Sequence, residues 1–361
     1  MNMTFSDSQF FFKDKNLISV LENSLLEKEY SLTFSSQYKI YYLLRPIIPI
    51  FVRQFLQKRK DYGEIPENWF MENKLFPKLT ELTQGQEFEI PYFWKDKANF
   101  CFVTTHDVEE QEGFDRIAKI ADLEEELGFR SSWTLIANKY KIDKGLVKDL
   151  QNRGFEIGVH GYNHDGKLYF SKSTFDKRAK LINKKLAELG AKGFRSPQFH
   201  RNLDWIADLE ITHDLSTFDV DPFQPLPGGT YSIFPFIYKN YVELPYTLPQ
   251  DHTLFVTLEN VSSEIWKQKT KWLIRNHALV LLNTHPDYLE TDKKLNTYLD
   301  FLKYLKNETN GMWKALPQEV ASWWKFRDSF SRGEEKNNSG FSQDSVSMIK
   351  FKFKKDGLEI I

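Results

Sequence analysis

The sequence predicts an α/β fold, in the form of an irregular or incomplete barrel of parallel strands covered by helices. Short apolar runs, such as 99–105, 155–159 and 278–284, alternate with amphipathic stretches that end at glycines. Parallel strands need crossover connections, so this alternation indicates a mostly parallel sheet. Roughly five to eight such units favour a barrel, although a doubly wound open sheet fits the same pattern.

The chain divides into three predicted segments. Residues 1–95 are a helical and irregular N-terminal extension without a clean repeat, and residues 96–328 contain the strand and helix units of the barrel. We also expect a strand at 253–258 within the barrel. Residues 329–361 form a polar tail, and alternating apolar positions before a Lys-Asp-Gly turn predict a terminal β-hairpin there.

Composition excludes some function classes. Lys plus Arg is 49 and Asp plus Glu is 50, so the net charge of -1 provides no general positive field for nucleic acid. The one cysteine, Cys101, cannot form an internal disulfide, which fits a reducing compartment. The first residues lack the basic and apolar regions of a secretory signal peptide. We therefore expect a cytoplasmic protein.

Residues 40–60 are unusually apolar for such a protein. Arg45 and Arg53 lie within this stretch, and Lys58, Arg59 and Lys60 end it. One interpretation is a helix docked on the rest of the N-terminal region. The other is a peripheral anchor on the membrane surface, because a basic edge beside an apolar face suits anionic lipid.

Polar residues stand directly after the apolar runs. Four such residues each follow a different predicted strand: Asp107, His160, Arg195 and His285. In a parallel barrel or sheet the carboxyl ends of the strands share one rim, where sites are built. We therefore expect these side chains to converge, although they are far apart in the sequence.

A histidine pair is the best candidate for metal binding. His160 and His164 are separated by three residues, so a helical turn or a tight loop can direct both imidazoles at one ion. Nitrogen ligands with a carboxylate suit zinc, and Asp107 and Glu109 follow a neighbouring strand. The alternative is a hydrogen-bonded pair of loop histidines.

Four segments resemble a known family. "THDVE", "HGYNH", "FRSPQF" and "LLNTH" occur in the order and approximate spacing of the polysaccharide deacetylases with the NodB homology domain. The resemblance covers roughly residues 97–325. It implies a NodB-type incomplete β/α barrel that removes N- or O-acetyl groups from sugars. It also implies a divalent metal, with zinc the best candidate, held by one acidic residue and two histidines.

The resemblance assigns roles to individual residues. His160 and His164 match the metal-binding histidines, Arg195 matches the arginine that orients the catalytic acid residue, and His285 matches the general acid. The first motif departs from the usual Thr-Phe-Asp-Asp. Either His106 replaces the base and Asp107 binds the metal, or Asp107 is the base and Glu109 binds the metal. We prefer the second, because an aspartate then keeps the role of base.

Four further residues are candidates for substrate binding: Tyr162, Asp219, Asp221 and His252. The leading hypothesis is a metal-dependent deacetylase that acts on a sugar or polysaccharide precursor. Two alternatives remain open. One is an inactive barrel that binds a glycan or a protein, and the other is a hydrolase of a different non-peptide C–N bond.

Overall fold

A curved and mostly parallel sheet forms the barrel. The structure, a computed structural model, describes residues 5–48, 63–334, 341 and 346–361. The strands in these residues are β1 (Phe5–Ser6), β2 (Phe88–Pro91), β3 (Phe100–Val108), β4 (Ser132–Leu135), β5 (Glu156–Val159), β6 (Gly193–Phe194), β7 (His213–Asp214), β8 (Phe236–Tyr238), β9 (Tyr241–Glu243), β10 (Leu279–Thr284), β11 (Met312–Lys314), β12 (Met348–Lys354) and β13 (Gly357–Ile360).

The helices lie mainly between successive strands. They are α1 (Lys15–Leu25), α2 (Ser36–Leu44), α3 (Leu75–Thr83), α4 (Gln111–Leu127), α5 (Lys144–Asn152), α6 (Lys172–Leu189), α7 (Leu203–Ile206), α8 (Glu264–Arg275), α9 (Asp292–Glu308) and α10 (Pro317–Ser331). Each of the longer barrel helices buries one face. On α4 the buried positions include Phe114, Ile117 and Ile120, at the spacing that places side chains on one side of a helix.

The barrel sheet has the strand order β1-β8-β9-β7-β6-β5-β4-β3-β10, and β11 also pairs with β3. All neighbours from β9 to β10 are parallel, whereas β1, β8 and β9 pair in antiparallel fashion. Every residue of β3 is buried, because one face points into the barrel and the other lies under helices. A central parallel strand is usually apolar throughout. Strand β3 departs from this pattern near its carboxyl end, where Thr105 and Asp107 place polar groups inside the barrel.

Irregular backbone forms hydrogen bonds with the barrel sheet where strand pairing stops. The amides of Thr247 and Leu248 donate to the carbonyl of Leu281 in β10, at 3.2 and 3.1 Å. The amide of Tyr246 donates to the carbonyl of Thr217, beyond β7, at 3.0 Å. The predicted fold class, an irregular and incomplete β/α barrel, is confirmed.

Two local expectations need correction or refinement. Residues 253–258 do not form a strand; a π-helical turn, His252–Thr257, occupies this position, with Asp251 as its N-cap. The terminal hairpin is present as β12 and β13. It is not isolated, because β12 also pairs with β2 from the N-terminal region to give a second, antiparallel sheet.

The N-terminal segment packs directly against the barrel. Strand β1 joins the barrel sheet, and Phe10 contacts Phe234 and Phe351 at ring-centroid distances of 5.8 Å. The turn after helix α1 is held to the barrel by a fully buried ion pair between Glu27 and Arg201. Arg201 Nε lies 2.5 Å from Glu27 Oε2. No helix in the described ranges is both long and apolar enough to cross a bilayer.

Breaking this buried ion pair should destabilise the protein. Glu27→Ala leaves the Arg201 guanidinium buried without its carboxylate, so we expect the free energy of unfolding to fall by about 3–5 kcal/mol in chemical denaturation. Glu29→Ala is the matched control, because Glu29 forms only an exposed pair with Lys78 and should cost less than about 1 kcal/mol. Equal losses from the two variants would contradict the role given to Glu27.

Candidate active site

The carboxyl ends of β3, β5, β6 and β10 meet at one rim of the barrel. The side chains that were expected to converge there do so: His160 Nδ1 lies 3.8 Å from Asp107 Oδ1, and Arg195 Nη1 lies 3.0 Å from the same oxygen. His285 Nε2 lies 3.8 Å from Asp107 Oδ2. His160, Arg195 and His285 therefore surround Asp107.

Three residues at this rim can hold a metal ion. Glu109, His160 and His164 each offer a ligand atom, and these atoms lie within 4.8 Å of one another. His164 Nε2 is 2.9 Å from Glu109 Oε1. The buried Nε2 of His160 has no hydrogen-bond partner among the described residues. A buried nitrogen without a partner is costly, so a cation at this point fits the residues present.

Neighbouring groups orient both imidazoles. His160 Nδ1 lies 3.2 Å from the carbonyl of Arg195, which suits Nδ1–H as donor and leaves the Nε2 lone pair free for a metal. Burial lowers the pKa of His160 to about 4, so this imidazole is neutral at pH 7. His164 has a left-handed backbone, with φ of 56°, and its Nδ1 lies 2.9 Å from Gln198 Nε2.

The loop after β10 holds Glu109 in place. The Asp287 carboxylate accepts hydrogen bonds from the amides of Glu109 and Glu110, at 2.8 and 3.1 Å. Gly113 permits this contact, because a Cβ there would lie 2.4 Å from the Asp287 carboxylate. Burial opposes charge on Glu109, but His164 beside it holds the pKa of Glu109 well below its ordinary value. Glu109 is therefore ionised at neutral pH, as a metal ligand would need to be.

Asp107 is a buried carboxylate in a polar cage. Its Oδ1 accepts from Arg195 and from the Thr134 hydroxyl, and its Oδ2 accepts from Asn283 Nδ2 at 2.9 Å. Burial favours the neutral carboxyl, but the Arg195 guanidinium, together with His160, His285 and the Thr134 hydroxyl, outweighs it, and the pKa of Asp107 lies well below its usual range. Asp107 is thus ionised, and Oδ2 keeps room for a further donor.

His285 is positively charged at neutral pH, whereas His160 is neutral. Its Nδ1 lies 2.6 Å from Asp251 Oδ1, and its backbone amide donates to Asp251 Oδ2 at 2.7 Å. Burial alone would lower the pKa of His285, but the Asp251 carboxylate raises it to about 9. His285 is therefore a protonated imidazolium at neutral pH, with its Nε2 directed towards Asp107 and Glu109.

His106 faces away from this cluster. Successive side chains of a strand alternate, so His106 points out of the barrel while Asp107 points in. Its ring stacks on Trp133 at 4.1 Å, and its two nitrogens contact Glu124 and Thr284 at 2.7 Å each. The geometry therefore favours Asp107 as base with Glu109 on the metal, and it corrects the alternative in which His106 is the base.

Solved structures with the same architecture are known. No family model and no curated protein matches the chain. A protein from Mycobacterium smegmatis classed as a polysaccharide deacetylase has a TM-score of 0.54 at 15% identity, over 66% of this chain and 94% of the other. A protein from Pseudomonas aeruginosa, also classed as a polysaccharide deacetylase, has a TM-score of 0.52 at 13% identity, over 68% of this chain and 96% of the other. The PuuE allantoinase has a TM-score of 0.51 at 14% identity, over 68% and 95%.

This is the polysaccharide deacetylase fold. At these identities the similarity concerns the fold alone, so the resemblance predicted from the four motifs is confirmed at that level. The deacetylase-type barrel accounts for the shared rim. It does not by itself assign a role to any side chain of this chain.

Two of the predicted substrate-binding residues are not available to a substrate. Asp219 and Asp221 are each 2% exposed. Asp219 pairs with the buried Lys269 at 2.6 Å, and Asp221 accepts hydrogen bonds from Tyr246 and Thr253 at 2.9 Å. Residues 218–229, which are rich in Pro and Gly, form a loop that brings both carboxylates inward. The prediction that Asp219 and Asp221 bind substrate is therefore corrected.

The other two lie at the edge of the site. Tyr162 is half-buried in the loop between His160 and His164 and lines a small depression with His164 and Gln198. The ring of His252 lies 5.3 Å from that of Tyr288, which lies 5.0 Å from that of His285. A substrate role for Tyr162 and His252 stays a prediction.

Three contributors escaped the sequence analysis: Asn283, Asp251 and Gln198. Asn283 stands two positions before His285, so strand alternation could have placed its side chain inside the barrel. Gln198 lies in the quoted "FRSPQF" segment, but only its left-handed backbone, with φ of 54°, turns it towards His164. Nothing in the sequence near Asp251 marks it as the partner of a residue on another strand.

Removing the charge of Asp251 should lower the pKa of His285. Asp251→Asn keeps the size of the side chain but not the negative charge, so we expect the pKa to fall from about 9 towards the ordinary value of roughly 6.5. An NMR titration of the imidazole signals in metal-free protein measures this change. Glu290→Gln, on the exposed pair with Lys294, should leave the titration unchanged. An unaltered pKa in Asp251→Asn would refute the pairing.

Proposed function

We propose that this protein is a zinc-dependent hydrolase that removes an N- or O-acetyl group from a sugar or glycan precursor. One observation carries the proposal: the cluster of Glu109, His160 and His164 lies directly beside an ionised acid, Asp107, and a protonated histidine, His285. Metal ligands, a base and an acid within a few ångströms are the set that metal-assisted hydrolysis requires.

The chain supplies three protein ligands for the metal. Two imidazole nitrogens and one carboxylate oxygen match the donor set of catalytic zinc sites, in which a fourth position is open. A zinc ion held there would polarise the acetyl carbonyl and bring the pKa of bound water near neutrality. The Asp287 and Gln198 contacts keep Glu109 and His164 directed at the same point.

Asp107 is placed to accept a proton from the attacking water. Its Oδ1 accepts from Arg195 and Thr134, whereas Oδ2 accepts only from Asn283 among the described residues and lies 3.8 Å from His285 Nε2. Arg195 fixes the carboxylate and keeps it charged, with its own Nε bound to the carbonyl of Leu215 at 2.9 Å. A positioned base of this kind contributes about 10²–10⁴-fold to the rate.

His285 is placed to protonate the leaving group. It holds its proton at neutral pH because of Asp251, and its Nε2 lies 3.8 Å from Asp107 Oδ2 and 4.0 Å from Glu109 Oε1. The amine or alcohol that leaves the tetrahedral centre needs a proton from that side. Base and acid are thus separate residues with opposite charge states, as general acid–base catalysis of hydrolysis requires.

The nature of the substrate is supported by fold alone. Two of the similar structures are classed as polysaccharide deacetylases, which supports an acetylated sugar. The third is an allantoinase, so a second candidate is the hydrolysis of another non-peptide C–N bond. Zinc-loaded protein with acetylated oligosaccharides should release acetate. Opening of a cyclic ureide, detected as a new carboxylate in the product without acetate release, would favour the second candidate. Metal binding without any turnover would favour an inactive binding barrel.

Two histidine variants should separate metal binding from turnover. His164→Ala removes a ligand, so we expect the purified protein to lose its zinc. His285→Ala removes the acid but no ligand, so zinc should stay while acetate release falls by about 10²–10⁴-fold. Elemental analysis and an acetate assay on both variants measure the two effects. Full zinc occupancy in His164→Ala would show that the ligand assignment is wrong.

Variants of Asp107 and Glu109 should also separate metal binding from turnover. Asp107→Asn removes the base and should retain zinc while acetate release falls by about 10²–10⁴-fold. Glu109→Gln removes the charged ligand and should weaken zinc binding by at least about tenfold, measured by calorimetric titration. If Asp107→Asn loses zinc and Glu109→Gln keeps it, the two roles are exchanged.

A further inference from the structure

The outer face of helix α2 is apolar and open to solvent. Ile40, Leu43 and Ile47 are 55%, 60% and 77% exposed, and Leu44 between them is 46% exposed. Large aliphatic side chains at this exposure are common singly but not in a contiguous group. Ile47 belongs to the short 3-10 turn, Arg45–Ile47, that follows α2. We call this group, Ile40, Leu43, Leu44 and Ile47, the α2 apolar face.

The opposite side of α2 packs on the loop that carries the metal ligands. Tyr38 and Tyr42 lie 5.2 and 5.5 Å from the ring of His200, and Tyr42 fills the space in which a Cβ of Gly166 would stand. Arg45 Nη1 donates to the carbonyl of His164 at 3.4 Å. The helix therefore packs on the rim of the site, with Tyr38 and Tyr42 inward and its aliphatic residues outward.

The stretch of sequence that contains this face carries charge of one sign. Residues 31–60 contain no Asp or Glu, and their charged residues are all basic: Lys39, Arg45, Arg53, Lys58, Arg59 and Lys60. The whole chain has a net charge of -1, so the remainder is acidic overall. Residues 49–62 lie outside the described part of the chain, and they enter here by their sequence alone.

We propose that the α2 apolar face lies on an anionic lipid bilayer, and that the substrate is an acetylated glycan whose lipid anchor holds it at that surface. An apolar helix face with a basic flank binds the headgroup boundary by combined burial and charge attraction. The substrate part of this inference rests on the proposed function, whereas the membrane contact does not. Because α2 adjoins the His164 loop, membrane docking would bring the rim of the site to the headgroup layer.

Charge favours a bilayer over two other occupants of this face. A second copy of the chain would set one basic segment against another, and like charges in contact oppose association. The segment 49–62 carries the same positive sign as Lys39 and Arg45, so it gains no charge attraction by covering them. Anionic lipid headgroups supply the missing negative charge, at about 1 kcal/mol for each Lys or Arg near the surface, which corresponds to roughly fivefold in affinity.

Vesicle co-sedimentation of the full chain tests the contact. We expect binding to vesicles of phosphatidylcholine with phosphatidylglycerol, and at least about tenfold weaker binding to phosphatidylcholine alone. The double variant Leu43→Ser/Ile47→Ser should weaken binding to the anionic vesicles by at least about tenfold. Leu181→Ser is the matched control, because Leu181 is 43% exposed on α6, outside this face. This variant should bind the anionic vesicles as the unchanged chain does. Circular dichroism and zinc stoichiometry verify that both variants fold.

Three outcomes would overturn the proposal: no binding to anionic vesicles, equal binding by the folded double variant, or a dimer in the unchanged chain that the double variant converts to a monomer. The tests of function are independent of these. Acetate release from a soluble oligosaccharide without vesicle binding would reject the membrane contact alone. Vesicle binding without acetate release from any acetylated substrate would reject the proposed function and the glycan part of this inference.

Discussion

The buried ion pair between Arg195 and Asp107 joins three strands of the barrel at the centre of the site. Arg195, which follows β6, also contacts Thr105 of β3 and Asn283 of β10, and its Nε binds the Leu215 carbonyl. Burying a guanidinium and a carboxylate costs several kcal/mol per ion unless the pair is well hydrogen-bonded. The contacts that offset this cost also hold the carboxylate ionised and in one orientation, so the rim of the fold and the chemistry of the site depend on the same group.

Two histidines a short distance apart show how surroundings assign different tasks to one residue type. His160 is buried against a backbone carbonyl, and its pKa of about 4 leaves a free lone pair. His285 is equally buried but faces Asp251, and its pKa of about 9 keeps a proton. One imidazole is therefore suited to bind a cation and the other to donate a proton. This division of charge states supports the proposed hydrolase over a glycan-binding barrel without catalysis.

The N-terminal region is part of the wall of the site, although its role was not apparent from its sequence. Helix α2 contacts the loop of the metal-binding histidines, and the Glu27–Arg201 pair holds the preceding segment to the barrel. The cytoplasmic location and the membrane contact predicted from composition stay predictions. The contact of helix α2 with the His164 loop would link such a membrane contact to the candidate site.

Local pattern in the sequence determined a good part of this protein. Alternating apolar runs and helices predicted the barrel, and the position of Asp107, His160, Arg195 and His285 after separate strands predicted that they converge, because parallel strands end at a common rim. Strand alternation would also have excluded His106. Only the tertiary structure decided that Asp219 and Asp221 are buried, that Asp251 pairs with His285 and that Gln198 reaches His164. These contacts depend on loop paths and left-handed turns that join distant segments, and periodicity along the chain carries no record of which loops will meet.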